Sequence, residues 1–132
     1  MISQTITYTD VNGLSRTETF WFNLSRAELI ELDAEVGGLE ERIHKLSETS
    51  DQAGIIKFFK TLILRSYGVK SDDGRRFIKS EDLSNGFYQT DAYSELLWNL
   101  LGDTNKAVEF FNGIVPRTAT PTGSAAPISV VK

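Results

Sequence analysis

The stretch Gly54–Ser80, GIIKFFKTLILRSYGVKSDDGRRFIKS, constrains the chain most. In its first half Ile55, Ile56, Phe58, Phe59, Leu62, Ile63 and Tyr67 share one broad side of a helical wheel. An apolar face that wide must contact more than one neighbour. It predicts a long helix, from near residues 49–51 to Tyr67, as the central core element. The second half is a tight basic turn. Gly68 is expected to end the helix, and Asp73-Gly74 to turn a short hairpin with Val69 on one arm and Phe77 and Ile78 on the other.

The flanking sequence can be read by the same rules. Ile2, Gln4, Ile6 and Tyr8 fall on one side of an alternating segment, and the intervening threonines suit a pleated surface. Asp10-Val11-Asn12-Gly13 is a turn signal, and a second strand is expected over Arg16–Phe22. Ser25 and Glu28 form a capping box, with Leu24 and Leu29 at the staple positions. Leu29, Ile30 and Leu32 should be the buried side of that helix, which Gly37-Gly38 stops. Leu39, Ile43 and Leu46 mark a second helix. Beyond the central stretch, Ser80 caps a short helix through Leu83 and Phe87. Thr90 or Asp91 opens another, carrying Tyr93, Leu96, Leu97, Trp98, Leu100 and Leu101 up to Gly102. Asp103 or Thr104 begins the last, with Val108, Phe110 and Phe111, before Gly113 and Pro116. The expected fold class is α+β: an N-terminal β-hairpin, then a mainly helical body of about six helices with a short internal β-hairpin.

With 132 residues, 40% of them hydrophobic, the chain can fill one core, so residues 1–116 are expected to form a single globular domain. From Arg117 the sequence becomes RTATPTGSAAPISVVK, without amphipathic period, and residues 117–132 are expected to be a flexible C-terminal tail. The first twenty residues lack the basic start and apolar run of a secretory signal. No window approaches about 18 consecutive apolar residues, so no membrane span and a cytosolic location are expected.

Catalytic chemistry is hard to find. There is no cysteine, which removes disulfides, thiolate metal sites and cysteine nucleophiles. The single histidine, His44, has no second histidine to make a zinc site and no nucleophile elbow to serve. Counted from Asp72, a calcium loop would need ligands at positions held by Gly74, Arg76 and Leu83, so Ser71-Asp72-Asp73-Gly74 is a turn. Phosphate-loop spacing is missing too. No catalytic residue, cofactor or metal is expected, and the chain reads as an interaction protein rather than an enzyme.

Charge is uneven along the chain. Residues 25–53 hold eight acids (Glu28, Glu31, Asp33, Glu35, Glu40, Glu41, Glu48, Asp51) against three bases, whereas residues 54–80 hold seven bases against two acids. The two regions either pack side by side or are solvated faces; the solvated reading is preferred because exposed ion pairs contribute little. Lys57, Lys60, Leu64 and Arg65 share the side of the central helix opposite its apolar stripe and are the candidate partner interface. Leu64 is the odd member, an apolar residue in a polar row. A net charge of −4 argues against a general nucleic-acid binder, and Phe58, Phe59 and Phe77 are assigned to the core rather than to base stacking.

The segments FWFNLSRAELIELDAEVGGLEERI, LRSYGVKSDDGRRFIKSEDL, QTDAYSELLWNLLGD and FFNGIVP occur in that order. Together they resemble the tail assembly chaperones of long-tailed (siphovirus-type) bacteriophages over roughly Phe20–Pro116. The resemblance implies a non-enzymatic role in the host cytoplasm. Such proteins bind the tape measure protein, keep it soluble, recruit tail tube protein around it and are absent from the mature virion. It also implies possible self-association and a frameshifted longer form, to which the tail would be a linker. The alternative is a structural tail or head-tail connector protein retained in the virion. A small nucleic-acid-binding regulator is a third class, resting on Lys57–Lys79 alone.

Overall fold

The computed structural model describes residues 1–116, so the expected tail, 117–132, lies outside the described residues. Strands β1 (Ile2–Thr9) and β2 (Ser15–Phe22) form the N-terminal hairpin. Helices α1 (Arg26–Val36), α2 (Leu39–Thr49) and α3 (Gln52–Ser66) follow, then β3 (Tyr67–Lys70) and β4 (Phe77–Ile78). Three helices end the described chain: α4 (Glu81–Tyr88), α5 (Asp91–Gly102) and α6 (Thr104–Ile114). The class is α+β, as the residue patterns predict.

The two hairpins are parts of one sheet. Its order is β1-β2-β3-β4, antiparallel throughout, with Trp21 opposite Gly68 and Phe22 opposite Tyr67 joining the halves across three intervening helices. This corrects the role assigned to Gly68. It does not cap α3, because Tyr67 already has extended backbone at the helix end. Gly68 is buried in β3, where a Cβ would sit 2.7 Å from the Phe77 ring and 2.8 Å from the Ile78 carbonyl oxygen. Only a bare backbone lets β3 approach β4 there. Tyr67 likewise belongs to the sheet, not to α3.

Local signals are met closely. Ser25 Oγ accepts from the Glu28 N–H and the Glu28 carboxylate accepts from the Ser25 N–H, closing the capping box. Gly37 and Gly38, at φ 76° and 104°, release the chain from α1 as no L-residue does cheaply. Asp51, Ser80 and Asp103 each accept backbone N–H groups at the starts of α3, α4 and α6. In the first hairpin loop, Asp10 accepts from the Asn12 and Leu14 N–H groups and pairs with Arg16 Nε at 2.7 Å.

The core lies against the inner face of the hairpin. Phe22 is wholly buried, with its ring 5.7 Å from Phe87 and 5.3 Å from Phe110 in edge-on contacts; Phe87 stacks on Tyr67 at 4.7 Å. Ile6, Leu32, Leu62, Ile63, Leu96, Leu100 and Ile114 are among the other buried members of this cluster. The centre is therefore shared by β2, α4, α6 and the C-terminal part of α3 rather than held by α3 alone. In α3 only Leu62, Ile63 and Ser66 are fully buried; Ile55, Phe58 and Phe59 are half-buried and Ile56 is exposed. A wheel shows which side of a helix is apolar but not how far along its axis the core extends.

The segment linking β2 to α1 ties the chain together. The Asn23 N–H donates to the Ser66 carbonyl and the Leu24 N–H to the Ile114 carbonyl, each at 2.7 Å. Residues next to each other thus hold the ends of α3 and α6.

Candidate partner surface on α3

Helix α3 carries its polar flank past the ends of α1 and α4, and this sets the environment of all four candidate residues. Lys57 is exposed, with its carbonyl accepting the Thr61 hydroxyl at 3.0 Å. Lys60 is half-buried, its Nζ 4.2 Å from the centroid of the Tyr88 ring, a cation–π distance. Leu64 is half-buried and packs against the core, while its carbonyl accepts from Ser84 Oγ at 3.0 Å. Arg65 makes a two-pronged pair with Glu35 of α1, with Nη1 at 2.6 Å from Oε2. That pairing holds the Glu35 carboxyl below its ordinary range and pushes the guanidinium up.

Leu64 and Arg65 are brought together on a groove of about 390 Å³ between α1, the end of α3 and the start of α4. Leu24 and Ser84 also line it. Lys60 and Lys57 lie on the approach to it, about one and two turns nearer the start of α3.

One wall of the groove is a half-buried clasp. The Lys79 ammonium donates to the Asn23 carbonyl at 2.6 Å, the Arg65 carbonyl at 2.8 Å and Glu28 Oε1 at 2.8 Å. A lysine has three N–H donors, and all three are used. Burial pushes the Lys79 ammonium below its ordinary value, against the pull of Glu28. Burial also pushes the Glu28 carboxyl up, but the hydrogen bonds from Lys79 and Ser25 outweigh it and leave the group below its usual range. Charges from the acidic and basic stretches therefore do meet, at Glu28–Lys79 and Glu35–Arg65.

The remaining bases of the central stretch divide. Lys70 Nζ lies 3.6 Å over the Trp21 ring, whereas Arg75 and Arg76 are exposed at the β3–β4 turn. His44 sits on the exposed side of α2, 3.3 Å from Glu48. Among the described residues no cluster of His, Cys, Asp or Glu is arranged to hold a metal, and no helix is long and apolar enough to cross a membrane.

The residue patterns did not single out the exposed apolar side chains. Trp98 is 77% exposed and points away from the buried Ala92, Tyr93, Leu96 and Leu100 of α5; Leu101 of the same helix is exposed beside it. Ile30, expected on the buried side of α1, is 69% exposed, and Ile43, Ile56 and Val108 are also open. A signal for Trp98 existed: with Leu96 and Leu100 inward, a wheel of α5 puts Trp98 opposite.

No curated protein and no solved structure was found to match the chain. A family model described as phage tail assembly chaperone matches residues 1–122 of the 132. The chain belongs to the phage tail assembly chaperone family.

Proposed function

We propose that this protein binds the tape measure protein of its phage in the host cytoplasm, keeps that client soluble and promotes assembly of tail tube protein around it. The family match over residues 1–122 carries this reading. The apolar side chains left open at Trp98, Leu101, Ile30, Ile43 and Ile56 support it, because a holding chaperone needs apolar contact area outside its own core. The flank Lys57, Lys60, Leu64 and Arg65, with its groove, is the proposed client contact. Residues 1–116 are the proposed folded unit, and residues 117–132 the tether in a longer, frameshifted product. Absence from the mature virion and self-association belong to the same proposal.

Co-expression tests it. The tape measure protein should remain in the soluble fraction and co-purify only when this chain is present. No gain in solubility and no co-purification would overturn the proposal. Mass spectrometry of purified particles separates it from a retained connector, which would be present in many copies.

A further inference from the structure

We infer that the free edge of β1 takes an extended segment of the client as a fifth strand of the sheet, an inference that rests on the chaperone reading above. Strand β1 is outermost, with β2 as its neighbour. In an antiparallel ladder every second residue turns its N–H and C=O away from its partner. Among the described residues, no backbone hydrogen bond reaches that far side of Ile2–Thr9. Sheet edges are ordinarily blunted by charge, proline or a bulge. β1, ISQTITYT, has no charged residue and no proline, and it pairs residue for residue from Ile2↔Phe22 to Thr9↔Ser15 without a bulge.

The edge also opens onto a shaped concavity of about 340 Å³, lined by residues 4–7 of β1, Glu95 and Asn99 of α5, and Lys106 and Glu109 of α6. Both faces of β1 contribute, so the concavity follows the strand's edge rather than lying beneath one face. An added strand would satisfy its backbone on β1 and rest its near side chains between the two helices.

Charge selects the occupant. Glu95 and Glu109 form no ion pair among the described residues. Two copies meeting edge to edge would bring together walls that each hold these two acids against one base, Lys106, in chains already carrying a net charge of −4. An extended client segment bearing Lys or Arg meets them with opposite charge.

Hydrogen exchange on the full chain, alone and co-purified with the tape measure protein, tests this. Amides within residues 2–9 that exchange quickly in the free chain should slow about tenfold or more in the complex. A complex without slowing there overturns strand addition and leaves the chaperone reading standing. Slowing in the free chain as its concentration rises assigns the edge to a second copy and likewise overturns the proposal. Failure of the chain to hold the client at all overturns both readings. The neighbouring substitutions Gln4→Pro and Thr5→Pro add a second measurement, since one removes an N–H facing β2 and the other an N–H facing the open edge. The variant that keeps its fold should lose client co-purification, and unchanged co-purification by that variant overturns the proposal.

Discussion

Removing the ammonium of Lys79 would take a donor from three acceptors at once: the backbone carbonyls of Asn23 and Arg65, and Glu28, which keeps the Ser25 N–H. Lys79→Met keeps the aliphatic stem and deletes those bonds together with the ammonium's approach to the Phe77 ring, 5.7 Å from its centroid, so it should lower unfolding stability by about 2–4 kcal/mol, read from the urea midpoint. Acid should act at the same place. Glu28, Glu35, Asp10 and Asp73 are all held below the ordinary carboxylate range in the fold. As pH falls below about 4, the unfolded chain takes up protons before the folded one, so these groups' stabilisation is full above that range and lost below it. The unfolding midpoint should therefore drop between about pH 4 and pH 2, and by less in a Glu28→Gln variant. The aromatic residues test where the core is centred. Phe22→Ala should cost about 3–5 kcal/mol, whereas the half-buried Phe59→Ala should cost about 1–3 kcal/mol; the reverse order would return the centre to α3.

At the scale of elements, the legible features were those set by neighbours in sequence. The caps at Ser25 and Ser80, the glycine pair after α1 and the alternation of β1 each involve residues a few positions apart, and each stands as the sequence implies. Pairing of β2 with β3 was not legible, because nothing local to Trp21 specifies Gly68 as the residue opposite it. Misplacing Gly68 followed from the same limit: a glycine after an apolar helix looks like a stop until the strand beside it is known. The candidate flank was legible as a row, but its surroundings were not. Arg65 finds Glu35 thirty positions away, and Lys60 finds Tyr88, and neither choice is written in helical spacing. Gly68→Val is the prediction proper to this scale. The added carbons would press β3 off Phe77 and Ile78, costing about 1–3 kcal/mol and weakening amide protection in β3 and β4 before that in β1.

Over the whole molecule, apolar surface is divided between an aromatic centre and an open exterior. Trp98 belongs wholly to the exterior. Trp98→Ser should leave unfolding stability within about 0.5 kcal/mol of the parent, so any accompanying loss of client solubility in co-expression would report on surface rather than fold. Self-association of the parent but not of this variant, seen by light scattering, would give the indole to a second copy. On the proposed reading the acidic balance of the chain should make client capture salt-sensitive: raising salt should slow association with a basic client more than it speeds release.

The bond from Leu24 to the Ile114 carbonyl has a consequence for synthesis. Chain emerges from the ribosome in order, and the acceptor that Leu24 requires is ninety residues behind it. Until α6 is out, the early strands and helices have no lid, and Phe22 waits without Phe110. The core around Phe22 should therefore close only after α6 has emerged, and a product truncated ahead of Ile114 should be captured by proteases rather than accumulate.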